Sequence, residues 1–248
     1  MQERPTILIP IRVLEGETIP EGVPELLANA HVVLLGYHVV PDQTATDQAR
    51  SQFEAQASRR LEDFTSMLEH AGATVESLCV FTHDGEQTID RKSDDHDCLA
   101  VLIPNATRPI ETVLVAVRGV VGIDRIARLV SGLFAATDVD ITLYHVVEDG
   151  ETDADAETLF TGITTSLEAA GLPAELIETQ TDRDGKPQQL IAEAAADHDA
   201  VVMGESDPSV TTLLFGMRAD QVAKQFLGPV LVVQHGSLDD EESDDESA

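Results

Sequence analysis

Lysine is almost missing from this chain: Lys92, Lys186 and Lys224 are the only three among 248 residues. Tryptophan is absent, aromatic residues make up 4% of the chain, and there are two cysteines. No apolar run approaches the roughly 20 residues that span a bilayer, so membrane insertion is not expected. Met1-Gln2-Glu3-Arg4 leads straight into a strand-like run, without the successive regions of a secretory signal. With 46 acidic against 15 basic residues, the basic patch that neutralises nucleic-acid phosphates is lacking. Nucleic acid is therefore excluded as a direct partner. Cys79 and Cys98 each lie in or beside an apolar strand-like run. They read as buried free thiols in a reducing compartment, not as a disulfide or a zinc site.

What the chain has in excess is negative charge, a net −31 spread over nearly every segment. Such a surface repels itself in dilute salt, whereas at molar salt the screening length falls to about 3 Å. The simplest reading is a cytoplasmic protein of a cell with concentrated internal salt. A single acidic face for a basic partner would concentrate the charge in one region. The 42% of apolar residues supports a sizeable core of Val, Ile, Leu and Ala.

The chain repeats itself. PTILIPIR (5–12) resembles ETVLVAVR (111–118), and GYHVVPD (36–42) resembles LYHVVED (143–149). LEHAG (68–72) matches LEAAG (167–171), and HDCLAVLIP (96–104) matches HDAVVMG (198–204). Four blocks in the same order imply two homologous halves. The expected boundaries are 1–107 for a degenerate first domain, 108–236 for a fuller second one, and 237–248 for an acidic, disordered tail.

Strand and helix alternate in each half. In the second, strands are expected at 112–117, 140–147, 174–181, 200–204 and 229–234. Helices are expected over Ile123–Phe134, about 154–170, from Pro187 to Ala196, and along Phe215, Ala219, Val222 and Phe226. The first half has a short helix near 24–30 and a strong one whose face includes Phe53, Leu61, Phe64 and Leu68. Its segment 83–97 is polar and at best weakly helical, and its last helix and fifth strand are missing. This is an α/β chain with right-handed crossovers over a parallel sheet.

The order of these blocks, ending in VVMG, a loop and FLGPVLVV, resembles the universal stress protein family. The likeness is that of a tandem pair of a halophilic archaeal type, strong in the second half and weak in the first. It implies two Rossmann-like domains with parallel sheets of order 3-2-1-4(-5), the first truncated. It also implies dimers formed partly through the fifth strand, and ATP binding by a subset of members that are not conventional enzymes.

ATP-binding members share a Gly-x2-Gly-x9-Gly-Ser/Thr loop after the fourth strand and an aspartate at the end of the first. Glycines there let backbone N–H groups approach phosphate. Here the first and third glycines are Gly204 and Gly216, but the middle one falls on Asp207, followed by Pro208. A carboxylate is added and a backbone donor lost. The glycine interval is one residue short, Met217 replaces the hydroxyl residue, and Arg118 and Arg12 replace the aspartate. The resemblance thus maps a degenerate nucleotide or anion site onto Arg118, Gly119, Val146 and Met203, together with Gly204, Asp207, Gly216 and Met217. No cofactor is expected, with ATP or another adenine nucleotide as the alternative.

Arg12 and Arg118 end first strands, where ligands of open sheets gather. Each is read either as the fork for a small anionic ligand or as one half of an ion pair with Asp207 or Glu205. His38 and His145, repeated in Tyr-His-Val-Val, read as packing residues, because no ligand-spaced partner accompanies either. His96-Asp97 and His198-Asp199 end the segments before the fourth strands. Ser206 lacks the Gly-x-Ser-x-Gly context of a nucleophile, and no metal site or enzyme activity is expected. The function expected is a non-catalytic stress-response regulator acting as a homodimer through the exposed edge of 229–234. The alternatives are an ATP or AMP switch and an accessory domain docking on a membrane transporter.

Overall fold

The computed structural model describes residues 4–118, 122–148, 150–183, 185–204 and 228–234. The first half contains β1 (Thr6–Arg12), α1 (Val23–Leu26), β2 (His31–Val39), α2 (Thr46–Ala71), β3 (Thr74–Thr82), α3 (Gly85–Asp95) and β4 (Ala100–Ile103). The second contains β5 (Thr112–Ala116), α4 (Ile123–Phe134), β6 (Asp140–Val146), α5 (Asp153–Ala169), β7 (Ile177–Asp182), α6 (Pro187–Ala195), β8 (Ala200–Gly204) and β9 (Val230–Val233).

The nine strands among the described residues join one sheet in the order β3-β2-β1-β4-β9-β8-β5-β6-β7. Among these strands the pairs are parallel except β4 with β9, which run antiparallel with Val101 opposite Val232. This corrects the expectation of a free edge at 229–234. β9 pairs with β8 on one side and β4 on the other, so it has no open edge to offer a second copy. The physical reason lies in both partners. The first half has no fifth strand to satisfy the outer N–H and C=O groups of β4. Every residue of β9 is apolar and buried, as an interior strand requires.

The alternation of Ile7, Ile9 and Ile11 against Leu8 sorts β1 into two cores. One core runs unbroken through both halves, from Leu61 and Phe64 of α2 to Leu129 and Leu133 of α4 and Ile163 of α5. On the opposite face, Ile89 of α3 covers the first half, and Ile191 of α6 packs beside Leu114 and Val201 in the second. Three layers result, with the sheet in the middle.

Two local expectations change. Segment 83–97 contains the full helix α3, capped by the Asp84 carboxylate, which accepts from Gln87 N–H at 3.0 Å. Its buried side is Thr88, Ile89 and Ser93, a face with too little apolar content to show as a stripe. The strand expected from residue 174 begins at Ile177, because Ala174–Leu176 forms a 3-10 turn after Pro173. The expected last helix and the acidic tail lie outside the described residues.

Candidate functional site

The sheet order reverses at β5, which has β6 on one side and β8 on the other. Beyond the C-terminal ends of these strands lies a cleft, at the place where ligands of such sheets collect. Its walls are Ala116, Val117 and Arg118 after β5, Gly122 and Ile126 of α4, Tyr144, Val146 and Glu148 from β6, and Gly204 of β8. Pro187 and Ile191 of α6, with Val233 and Gln234 of β9, complete it. Gly122 starts α4 with φ 78°, a left-handed conformation that glycine adopts without strain. The cleft encloses about 60 Å³, far below the roughly 300–1,000 Å³ of pockets that take small molecules.

Of the residues expected at this site, Arg118, Val146 and Gly204 line the cleft. Met203 is buried beneath it among Leu114, Ala116 and Val201. Gly119, Asp207, Gly216 and Met217, like Glu205, Ser206 and Pro208, lie outside the described residues. Sequence reasoning missed Tyr144, Glu148 and Ile191 as lining residues. Glu148 had a signal, since it stands in the repeated block where the first copy has Pro41.

Arg118 closes on Glu148. Its Nε donates to Glu148 Oε1 at 2.6 Å, and Nη2 lies 2.5 Å from the same oxygen. The ion-pair reading of Arg118 named Asp207 or Glu205; the partner among the described residues is Glu148. The two side chains are 53% and 45% exposed, so the bridge contributes under about 1 kcal/mol to stability. What it changes is the mouth of the cleft, where one arginine now shares its charge with a carboxylate.

His145 holds the backbone that carries both residues. It is buried, with Nδ1 3.0 Å from Val117 O and Nε2 3.1 Å from Glu151 Oε2. Both ring nitrogens are thus engaged, one by a backbone carbonyl and one by a carboxylate. Glu151 Oε2 also accepts Glu148 N–H at 2.7 Å. That backbone bond, aided by His145, holds the Glu151 carboxyl below the usual range despite some desolvation. His145 is therefore more than the packing residue expected: it ties the residue before Arg118 to the loop bearing Glu148. His38, its counterpart, stands edge-on to Phe53 and Phe81 at 6.1 and 6.0 Å.

At the floor of the cleft, Tyr144 Oη donates to Asp182 Oδ2 at 2.8 Å. Burial first, and then the neighbouring Asp182, push the Tyr144 phenol well above its ordinary value. The first half repeats the theme differently. Arg12 Nε donates to Tyr37 Oη at 3.0 Å, and Arg12 lies 3.6 Å from Glu15 and 4.0 Å from Glu17. Both first-strand arginines thus face carboxylates of their own half.

The remaining repeated pair acts in structure. His198 Nδ1 lies 2.9 Å from Ala194 O at the end of α6. Asp199 Oδ2 accepts Glu111 N–H and Thr112 N–H, each at 3.0 Å, and so fixes the start of β5. Among the described residues no group of three or more His, Cys, Asp and Glu side chains is placed to hold a metal ion. No helix among them is long and apolar enough to cross a membrane.

No curated protein matches the sequence significantly. Among solved structures, a universal stress protein from Archaeoglobus fulgidus DSM 4304 is similar over 94% of this chain and 97% of its own. That match has 18% identity and a TM-score of 0.64. The cytoplasmic domain of a prokaryotic cation chloride cotransporter is similar over 95% of this chain and 97% of its own, with 11% identity and a TM-score of 0.51. These likenesses concern the fold. The sequence profile of the universal stress protein family matches residues 109–234, just over half the chain and the whole wall of the cleft. The chain belongs to the universal stress protein family.

Proposed function

We propose that the protein is a non-catalytic stress-response regulator whose nucleotide site has closed. The observation that carries this reading is the Arg118–Glu148 bridge across the mouth of the β5–β6 cleft. In nucleotide-binding relatives the resemblance puts an acid at the position of Arg118. Here the arginine is partnered, and that partner, Glu148, sets a carboxylate where phosphate charge would gather. The small cleft supports the same reading, as do Asp207 and Pro208 in the loop sequence.

The test is equilibrium dialysis of full-length protein in molar KCl against Mg-ATP, with mass spectrometry of small molecules released on denaturation. The expected outcome is no stoichiometric nucleotide in either experiment. Stoichiometric ATP bound to wild type, and lost in Arg118→Ala with the fold intact, would overturn the closed-site reading in favour of a nucleotide switch.

The protein is further proposed to act as one chain that supplies both sides of its sheet, with no homodimer through β9. The seam between β4 and β9 supports this, because the edge that would pair with a second copy is already filled. The outer edges are β3 and β7, and β7 carries Glu178 and Asp182, charges that discourage edge pairing. Sedimentation in molar KCl should give a monomer; a dimer there would sink this proposal. A cytoplasm with concentrated salt is the proposed setting, supported by the excess of acidic residues. Docking on a transporter gains no support from the cotransporter's likeness, which is one of fold.

A further inference from the structure

A second concavity, where the two halves meet, has a charge opposite to that of the chain. Arg4 before β1, Asp97 and Leu99 before β4, and Arg125 and Arg128 of α4 line a crevice of about 720 Å³. Arg125 and Arg128 are one turn apart and so share a face of α4. A further turn along, a Cβ on Gly132 would come within 2.8 Å of Pro5 Cδ. Helix α4 is thus pressed against the start of β1, and the arginines flank that contact.

Among the described residues the lining holds three arginines and one carboxylate, Asp97, in a chain with 46 acidic and 15 basic residues. None of the three forms an ion pair among the described residues. Arg4 Nη1 donates to Gly72 O at 2.9 Å and Arg125 Nη2 donates to Cys98 O at 2.9 Å. These carbonyls orient the two groups without neutralising them, and among the described residues most of their donors stay uncommitted. Arg125 Nε is buried without a hydrogen-bond partner among the described residues. The C-terminal end of α5 also opens here, but a helix end supplies only about half a negative charge. Among the described residues the crevice keeps a positive surplus.

We propose that this crevice binds a phosphate group, as the free ion or on a small ester. Planar guanidinium forks match phosphate oxygens two at a time, and three of them supply the charge that a dianion requires. The volume lies in the range of pockets that hold small ligands. The phosphate would bridge residues of both halves. The site is separate from the β5 cleft and does not depend on whether ATP binds there.

The test is calorimetric titration of the full chain with inorganic phosphate, against potassium chloride at equal ionic strength. Saturable binding of one phosphate is expected. Arg128→Gln should weaken it about tenfold or more, the loss of one charge-assisted contact. The Arg128 side chain is exposed and forms no ion pair among the described residues, so this variant should keep the wild-type circular dichroism. Arg59→Gln, an exposed position on α2, removes the same charge elsewhere and should leave the affinity unchanged. Equal weakening by Arg59→Gln would reduce the effect to general electrostatics and overturn the proposal. So would loss on Arg118→Gln instead of Arg128→Gln, or no saturable heat up to about 100 mM phosphate, a concentration well above any specific affinity.

Discussion

Leu102 of β4 lies opposite Leu231 of β9, and neither side chain has any exposure to solvent. The two come from different halves of the chain, yet they sit in the core that runs through both. A repeat usually gives two domains with two cores. Here the shared strand merges them, because the first half lacks a fifth strand and the second supplies it.

Leu102→Ala should therefore destabilise the entire protein and not the first half alone. Truncating a fully buried leucine costs about 2–5 kcal/mol, which for a chain of this size lowers Tm by roughly 5–15 °C. Calorimetry at fixed molar KCl should show one transition in wild type and one, shifted down, in the variant. Two resolved peaks with only one displaced would mean that the halves melt independently.

Much of this arrangement was legible in the repeat. The blocks ending in Arg12 and Arg118, and those holding Tyr37 and Tyr144, fall on paired first and second strands. The β4–β9 seam was not legible, because VLVV reads as a buried strand whatever its neighbours are. Its second partner is fixed by a vacancy in the other half, which no local pattern records. Helix α3 escaped notice because a cap and one buried isoleucine build it, not an apolar stripe. At the cleft the sequence located Arg118 but not its partner. The repeat marks Glu148 only as a departure from Pro41, and its pairing with Arg118 emerges once β5 and β6 are seen side by side.

The two tyrosines, Tyr37 and Tyr144, should ionise late. Burial is the first cause of the rise in both, opposed at Tyr37 by Arg12 and reinforced at Tyr144 by Asp182. A phenol whose folded value lies above its unfolded one, about 10, contributes stability that is full below pH 10. That stability declines as pH rises from there through the folded values. Absorbance at the phenolate band should stay flat through about pH 10 and then rise together with unfolding. A normal tyrosine titration while circular dichroism remains native would contradict the buried contacts of both rings.

Cys98 should be inert in the native state. Burial is the main cause that pushes its thiol up to about 12, although the neighbouring Ser93 hydroxyl pulls the other way. At pH 8.5 only about 3 thiols in 10,000 would then be ionised, and the thiolate is the reactive form. Cys79 is half-buried and raised for the same leading reason. A thiol-reactive disulfide reagent should label neither residue quickly in native protein, and both after denaturation. Rapid native labelling of Cys98 would show that the α3–β4 turn opens far more often than its packing implies.

Salt should control stability more than any single contact described here. The net charge of −31 repels itself over about 30 Å in 0.01 M salt and only about 3 Å in 1 M. The ion pairs that are present, such as Arg118–Glu148 and Lys92–Asp95, involve exposed carboxylates and weaken as salt rises. Two opposed trends therefore act on the folded state. Surface pairs are few beside 46 acidic residues, so relief of repulsion should dominate. Tm should climb from dilute to molar KCl, most steeply below about 0.1 M, where the screening length exceeds about 10 Å. A Tm that stays flat or falls over that range would show that relief of charge repulsion does not govern the stability of this fold.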